Sequence, residues 1–408
     1  MKSSVFHSII LLALMLAVTG CAAIPYVNPP VKWKTHVGDT RNTSIVAPLG
    51  IGDTMVFVAA QEPRPGRYPG NSYQFMQAFD KNTGGFLWHY QLGRHPDIGG
   101  CGITQPIFNE GVVYIALECS NIEAMDTTTG QKLWVFPPLG KIEQGKPIFA
   151  YPRIENCSPP VVKDATVYFL CSYLDMSAQF SGDPAGDADM LLALDRTSGV
   201  PLWRYVMPRS DRKSAVTVTK DKVIFLDGKQ ILHAVSRETG EDVWEFRTED
   251  GLTSPPFEIN GRIFTADYQE GHPSIIVLEE STGNLLQRVP VMAEKGVIAH
   301  LHIEEDTIFA VVNEWRVEMS SQGHLYAIDL QSGKENWRFD VNGLIGPLVV
   351  DESAIYFSTY SEMFSLAQST GAVRLRFHDA NGILSPTLED SVIYTGNTHG
   401  NIYAIPVK

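Results

Sequence analysis

One motif, Ala-x-Asp-x-x-Thr-Gly-x-x-x-Trp, recurs through the chain and constrains its fold more than any other feature. The first copy runs from Ala78 to Trp88. Complete copies, with Ser allowed for Thr, end at Trp88, Trp134, Trp203 and Trp337. Incomplete copies have Ser236 in place of Asp, Gln287 or Leu375 in place of Trp, or a break after Ala404-Ile405-Pro406.

The spacing of these copies predicts the architecture. Successive motif glycines lie 38 to 69 residues apart, and a repeat of roughly 40 to 50 residues is typical of propellers with four-stranded blades. Asp followed by Thr-Gly is turn chemistry, in which the side chain caps the turn and Gly adopts positive φ. We interpret the Trp and the small Ala as packing partners rather than as a site. The prediction is an all-β protein.

The two ends of the chain predict how the propeller closes. Trp33 lies in a strand-like segment, 31–37, that lacks the Thr-Gly turn preceding every other motif Trp. The segment Asn401–Ile405 stops just before its own turn. One repeat divided between the termini predicts that the N-terminal strand completes the last blade and removes both free edges. Seven internal turns and this divided copy predict eight blades.

The N-terminus resembles a bacterial lipoprotein signal. Lys2 precedes an apolar run from Ile9 to Val18, which is too short to cross a bilayer comfortably. Small residues then lead to Cys21, as in a lipobox, and Ala22 after the Cys favours the periplasmic side of the outer membrane. We therefore predict a signal peptide (1–20), a lipidated tether (21–30) carrying palmitate or a similar acyl chain on Cys21, and one propeller domain (31–408). The alternative is a plain secretory signal with an incidental Cys.

The net charge limits the partners. With 32 basic and 46 acidic residues, the formal charge is −14. This acidity argues against nucleic acid and against anionic membrane surfaces as binding partners.

Four further cysteines predict disulfides. Cys101 and Cys119 lie symmetrically about one presumed hairpin turn, and Cys157 and Cys171 lie symmetrically about the equivalent turn one blade later. Because antiparallel pairing brings such positions face to face, we predict Cys101–Cys119 and Cys157–Cys171 disulfides in an oxidising compartment. An alternative Cys119–Cys157 bond would join neighbouring blades.

Two loops are candidates for protein contact. The densest charge cluster enters the fourth blade and comprises Arg209, Asp211, Arg212 and Lys213. The one Trp outside the repeat register is Trp315, beside Arg316, and an aromatic residue next to Arg suits a protein interface. A solvated loop and a Trp packed on its own blade are the structural alternatives.

Metal sites have little support in the sequence. His300 and His302 project from one face of a presumed inner strand, and such a pair can bind metal, but no third ligand is identifiable. Asp183, Asp187 and Asp189 lie in one loop without EF-hand spacing, so we favour a solvated acidic loop. We predict no metal site and no catalytic residues, and no phosphate-binding or nucleophile-elbow motif occurs.

The repeats resemble those of the pyrroloquinoline-quinone (PQQ)-like eight-bladed propellers over nearly all of the predicted mature chain. One branch is the quinoprotein dehydrogenases, in which an adjacent Cys-Cys disulfide, Ca²⁺ ligands and an Asp base accompany PQQ. This chain has no Cys-Cys pair. The other branch is the BamB lipoproteins of the β-barrel assembly machinery, which the lipobox, length and divided blade resemble. In that branch a mid-chain loop with Leu and Arg contacts the barrel-forming partner, and the corresponding stretch, 207–214, keeps Arg without the leucines.

This resemblance implies a function without catalysis. We expect an outer-membrane lipoprotein on the periplasmic side that acts as a scaffold for a protein partner in the cell envelope, with the barrel-assembly machinery as the leading candidate and no cofactor. The alternative is a PQQ- or small-molecule-binding propeller that works as a quinone-dependent oxidoreductase with PQQ and Ca²⁺.

Overall fold

The structure, a computed structural model, describes residues 29–38, 42–63, 72–92, 102–117, 121–137, 153–174, 187–209, 215–269, 272–293, 295–314 and 321–407. All regular structure in these residues is β, with 34 strands in eight sheets. No helix long and apolar enough to cross a membrane occurs in this part of the chain. The predicted all-β, eight-bladed propeller is therefore confirmed.

Each sheet is one blade, and its strands follow one another from the inside of the ring to the outside. Strand β1 (Trp33–His36) belongs to the last blade. Blade 1 contains β2 (Ser44–Ile45), β3 (Gly50–Ile51), β4 (Met55–Pro63), β5 (Ser72–Asp80) and β6 (Phe86–Gln91). Blade 2 contains β7 (Ile107–Asn109), β8 (Val112–Ala116), β9 (Ile122–Asp126) and β10 (Lys132–Phe136). Blade 3 contains β11 (Arg153–Glu155), β12 (Val161–Lys163), β13 (Thr166–Leu174), β14 (Asp187–Asp195) and β15 (Pro201–Met207).

The second half of the chain repeats this order. Blade 4 contains β16 (Thr217–Val218), β17 (Lys222–Leu226), β18 (Leu232–Ser236) and β19 (Asp242–Phe246). Blade 5 contains β20 (Phe257–Ile259), β21 (Arg262–Gln269), β22 (His272–Glu279) and β23 (Leu285–Pro290). Blade 6 contains β24 (Val297–Glu304), β25 (Thr307–Glu314), β26 (Gln322–Asp329) and β27 (Glu335–Asn342). Blade 7 contains β28 (Val349–Val350), β29 (Ala354–Ser358), β30 (Glu362–Ala367) and β31 (Val373–His378), and blade 8 contains β32 (Thr387–Glu389), β33 (Val392–Gly396) and β34 (Asn401–Pro406).

The N-terminal strand closes the ring, as the sequence predicted. Strand β1 pairs antiparallel with β34, with Trp33 opposite Ala404 and His36 opposite Asn401. Innermost strands of neighbouring blades also touch, and β3 of blade 1 contacts both β7 and β32. Among the described residues, the 69-residue gap between Gly130 and Gly199 holds β10 of blade 2 and the first strands of blade 3, in which β11 and β12 both pair with β13, and no additional blade.

The hydrophobic core is divided among the junctions between blades. Eight buried clusters occur in the described residues, and each combines side chains from two neighbouring blades. The cluster between blades 8 and 1, for example, joins Trp33, Tyr394 and Ile402 to Val58 and Phe79. A blade therefore buries its two faces only when both neighbours are present, so stability depends on the closed ring.

The motif Trp forms a specific bond across six of the eight junctions between blades. Its indole Nε1 donates a hydrogen bond to a backbone carbonyl in the c–d turn of the next blade, the turn between the third and fourth strands. The pairs are Trp33 to Lys81, Trp88 to Thr127, Trp134 to Arg196, Trp203 to Arg237, Trp244 to Glu280 and Trp337 to Gln368, at 2.7–3.0 Å. Within its own blade, Trp88 lies opposite the small Ala78. We call this arrangement the Trp clamp.

The motif Gly has a second role that sequence reasoning did not identify. Gly240 has φ of +75°, as the turn requires, but a Cβ there would also lie 2.6 Å from the ring of Trp203. The motif Asp holds the same turn from the other side, because Asp80 accepts hydrogen bonds from the amide and hydroxyl of Thr83, both at 2.8 Å. These bonds lower the pKa of Asp80 below its ordinary value.

The two copies without Trp have structural explanations. Gln287 replaces the indole with its own amide, and its Nε2 donates to the carbonyl of Leu330 at 3.1 Å. Leu375 precedes blade 8, whose outer strands β34 and β1 are separate segments with no c–d turn between them. A clamp has no turn to hold there, and Leu375 packs instead in the cluster that joins blades 7 and 8.

We expect Trp33→Ala to lower the free energy of unfolding by about 3–5 kcal/mol, because it removes a buried indole and opens the ring closure. Trp33→Phe keeps the ring and loses the bond to Lys81, so it should cost only about 1 kcal/mol. Urea denaturation followed by tryptophan fluorescence and circular dichroism measures both. Lys32→Ala is the matched control, since Lys32 is exposed immediately before the same strand. An equal loss for Trp33→Ala and Lys32→Ala would contradict the clamp.

Gly240→Ala and Gly261→Ala separate the two roles of the motif Gly. Both residues have positive φ, +75° and +74°, but a Cβ on Gly261 has no atom within 4 Å. Gly261→Ala should therefore cost about 1 kcal/mol from the backbone alone. Gly240→Ala should cost about 1–3 kcal/mol more, because Trp203 must move. Thermal or urea melts that rank the two variants equally would show that the indole does not need this space.

Candidate functional surfaces

The strand order gives the propeller two different faces. Connections between the first and second and between the third and fourth strands of a blade lie on one face, which we call the turn face. Examples are Glu110–Gly111 and Thr127–Gly130. Connections between the second and third strands, and from one blade to the next, lie on the opposite face, which we call the loop face. An example is Asp227–Ile231.

The insertions belong to the loop face. Every gap in the described part of the chain after residue 29 and before residue 407 joins two strand ends at that face. These gaps are 39–41, 64–71, 93–101, 118–120, 138–152, 175–186, 210–214, 270–271, 294 and 315–320. The turn face is built from short, similar turns, whereas the strand ends that the longer connecting segments join lie at the loop face. Loops of this kind, held by a rigid scaffold, are the usual carriers of function.

The predicted partner-binding residues meet this face at two separate places. Arg209 follows the end of β15 in blade 3, and its guanidinium lies 3.5 Å from the carboxylate of Glu155. Asp211, Arg212 and Lys213 lie outside the described residues, as do Trp315 and Arg316. The strand ends that flank Trp315 belong to blade 6, whereas Arg209 follows the last strand of blade 3, so blades 4 and 5 lie between these flanking strands.

The predicted Cys157–Cys171 disulfide is not formed in this structure. The two sulfurs are not bonded to each other, although both side chains border the cluster between blades 2 and 3. The prediction assumed a regular hairpin, but the pairing changes register by two residues between β12 (Val161 opposite Tyr168) and β11 (Glu155 opposite Ser172). The Cys157 thiol instead donates to the carbonyl of Glu155 at 3.8 Å.

The other predicted cysteine positions stay open. Cys101 and Cys119 lie outside the described residues, so their predicted disulfide and the alternative Cys119–Cys157 bond remain predictions. Cys21, the predicted lipidation site, also lies outside them.

His300 and His302 lie on β24, the innermost strand of blade 6, as predicted. Leu301 between them packs into the cluster of blades 5 and 6. Desolvation lowers the pKa of His300 to about 4, and it also lowers the pKa of His302, whose Nε2 lies 3.5 Å from Glu304. Among the described residues no group of three or more His, Cys, Asp or Glu is placed to hold a metal ion, so the two imidazoles have no third ligand there.

A cleft that sequence reasoning missed crosses blades 3, 4 and 5 at the rim of the turn face. Its volume is about 840 Å³. Its lining includes Tyr168, Leu202, Trp203, Arg237, Val243 and Ser281. The one sequence signal beside it was Ser236, which replaces the motif Asp in the turn that forms one wall.

Ion pairs organise the polar floor of this cleft. Arg237 bonds the carboxylate of Asp164 and the hydroxyl of Tyr168, and its Nη1 donates to the carbonyl of Lys220 at 3.0 Å. The bond from Arg237 holds the pKa of the exposed Asp164 below its ordinary value. Leu202 and Val243, exposed at 56% and 47%, supply apolar walls on either side. The cleft is therefore amphipathic and open to solvent.

The partly buried His300 should make the fold acid-sensitive. Its pKa is lower in the folded protein than in the unfolded chain, so neutral His300 stabilises the fold above pH 6.5, and this stability is lost as the pH falls from 6.5 towards 4. We expect the melting temperature of His300→Gln to fall less over this range than that of the unmodified protein. His272→Gln, at an exposed position on β22, is the control. Parallel melting curves for all three proteins would contradict the assignment.

Comparisons with known proteins support one family. A family model described as outer membrane protein assembly factor BamB matches residues 30–169 and 189–408. BamB of Moranella endobia is 20% identical over 342 residues, which cover 79% of each chain. The quinoprotein ethanol dehydrogenase of Pseudomonas putida is 26% identical over 254 residues, which cover 56% of this chain but only 34% of the dehydrogenase.

A solved structure shows the same fold. The crystal structure of BamB from Moraxella catarrhalis superposes with a TM-score of 0.58 at 14% identity and covers 91% of this chain and 99% of that one. The family model itself reaches from the closing strand β1 to the last strand of blade 8. The chain therefore belongs to the PQQ-like propeller family described as outer membrane protein assembly factor BamB.

Proposed function

We propose that this protein is a non-catalytic scaffold in the assembly of outer-membrane proteins, held by a lipid on Cys21 at the periplasmic side of the outer membrane. The observation that carries the proposal is the family-model match, which covers nearly the whole propeller. The division into two faces supports it, because a rigid ring with its variable loops on one side offers a wide surface for protein contact.

The position of the tether fits this arrangement. Trp33 is the first residue of β1 and lies at its turn-face end. From Cys21 to Trp33 the chain can span at most about 40 Å when fully extended. The lipid would thus hold the propeller close to the membrane through the turn-face end of blade 8, and the loop face would be available to partners.

The loop after β15 is the proposed contact on that face. The Arg209 side chain, at the start of this loop, is more than a third exposed. An ion pair with Glu155 holds the Arg209 guanidinium at the rim of blade 3. Exposed Arg held by a neighbouring carboxylate is a preorganised donor for a partner. The barrel-assembly machinery is the proposed source of this partner.

A quinone-dependent oxidoreductase is the second candidate, favoured by the partial match to quinoprotein ethanol dehydrogenase. The residues present do not fit PQQ with Ca²⁺. The chain has no adjacent cysteines, and His300 and His302 are nitrogen donors, whereas Ca²⁺ takes oxygen ligands. We therefore derive no reaction step through the quinone.

Photo-crosslinking in cell envelopes tests the proposal. A photoreactive residue at Arg209 should capture an outer-membrane protein assembly factor, because this position lies on the loop face. The same residue at Lys334, exposed on the turn face of blade 6, is the matched control and should not. Cys21→Ser should release the protein from the membrane fraction and reduce the crosslink.

Two results would overturn the scaffold. One is equal capture of the same proteins from Arg209 and Lys334. The other is alcohol oxidation by the purified chain with added PQQ and Ca²⁺ above the level of a heat-denatured sample.

A further inference from the structure

The outer edge of blade 3 differs from the other edges of the ring. Strand β15 pairs with β14 on its inner side, and within the described residues no strand pairs with its outer side. Leu202, Arg204 and Val206 share its solvent-facing side, and the two apolar residues are 56% and 54% exposed. Leu202 lies at a bulge, where the register with β14 shifts between Pro201 and Trp203, and pairing is regular from Trp203 to Met207. An exposed apolar edge strand is a template for pairing with another extended chain.

The other blades carry a polar residue or Pro at the position equivalent to Val206, although several of them, like blade 3, expose an apolar residue at the position equivalent to Leu202. The equivalent three positions carry Asn336, Arg338 and Asp340 in blade 6, Arg374, Arg376 and His378 in blade 7, and Lys32, Lys34 and His36 in blade 8. Blade 5 ends in Pro290, and blade 2 has Pro137 at its third position. Charges and prolines at such positions prevent strand addition. Among the described edge strands, β15 alone exposes a large aliphatic side chain at both the first and third positions, since blade 5 has Pro290 at the third.

The cleft of blades 3 to 5 adjoins this edge. Leu202 and Trp203 of β15 form one wall, and Val243 of the blade 4 edge faces them. A strand added to β15 would point alternate side chains towards blade 4, where this cleft has room for them. The edge would thus supply the main-chain ladder, and the cleft would supply a pocket for side chains.

We propose that β15 binds an extended segment of an unfolded client by strand addition, with the pattern apolar–acidic–apolar facing Leu202, Arg204 and Val206. Side chains directly opposite in an antiparallel pair have Cβ atoms about 5 Å apart, so an acidic residue opposite Arg204 forms an ion pair. No ion pair of Arg204 occurs among the described residues. Alternation of apolar and polar residues is the pattern of membrane barrel strands, and in this respect the inference rests on the proposed function.

A second copy of this chain is a worse occupant. Antiparallel pairing of two β15 edges centred on Arg204 would put the two guanidinium groups opposite each other, and like charges directly opposite are destabilising. The chain carries a net charge of −14, which attracts basic segments to any part of its surface. Binding that instead requires an acidic residue opposite Arg204 would distinguish the β15 site from this nonspecific attraction.

Fluorescence anisotropy with the purified full-length protein tests the inference. The probe is a labelled ten-residue peptide that alternates Val with polar residues and has one central Glu, and the comparison peptide has the same composition in scrambled order. We expect the alternating probe to bind at least about tenfold more tightly than the scrambled one. Leu202→Lys with Val206→Lys should abolish this preference. Leu133→Lys, on the edge of blade 2 with 53% exposure, is the matched control and should keep it.

Two further measurements locate the contact. Arg204→Glu should prefer a probe with central Lys over one with central Glu, the reverse of the unmodified protein. Amide hydrogen exchange in 201–206 should slow when the alternating probe binds. Equal binding of alternating and scrambled probes, unchanged binding by the double Lys variant, or a dimer through β15 in sedimentation would each overturn the inference.

These results are independent of the scaffold test. Loss of crosslinks from Arg209 with intact peptide binding would remove the proposed function and leave the edge site. Intact crosslinks without peptide binding would do the reverse.

Discussion

The Trp clamp is the interaction on which the rest of the structure depends. A propeller blade cannot bury its two faces alone, and each junction in this ring needs both a hydrophobic cluster and a fixed angle between neighbours. The indole supplies both, since Trp203 packs its ring on Gly240 and donates Nε1 to the carbonyl of Arg237 at 3.0 Å. The Asp and Thr of the motif hold the turn that presents this carbonyl. The Gly of the motif leaves space for the indole ring.

The clamp also explains where the motif is incomplete. Gln287 keeps the hydrogen bond without the ring, and Gly333 beneath it accordingly meets Val289 instead of an indole. Leu375 faces a blade without a c–d turn. The closing blade recovers its clamp from the front of the chain, because Trp33 bonds Lys81 of blade 1. The incomplete copies are therefore accounted for by packing, and they do not by themselves mark a contact surface.

The junctions between blades are similar around the ring, so the differences between blades are found on the two faces and at the outer edges. The turn face is occupied by capped turns, in which Asp80 and its equivalents bond their own Thr or Ser. The strand ends that the insertions join lie on the loop face, with Arg209 at the start of one insertion. The edge of blade 3 adds a third surface, where the exposed Leu202 and Val206 lie outside the buried clusters between blades. The proposed contact surfaces are thus distinct from the junctions that hold the ring together.

The sequence by itself determined the architecture. The spacing of the Thr-Gly turns predicted eight blades, and the unmatched Trp33 predicted the closing strand, because a repeat divided between two ends can be completed only by pairing them. The assumption of a regular hairpin did not hold for Cys157 and Cys171, because a two-residue register shift separates two positions that are symmetric in the sequence. The exposed edge of β15 and the cleft beside it were decided only by the tertiary structure. Each depends on which blades are neighbours and on which side of a strand remains unpaired. The sequence pattern of a single repeat specifies neither property.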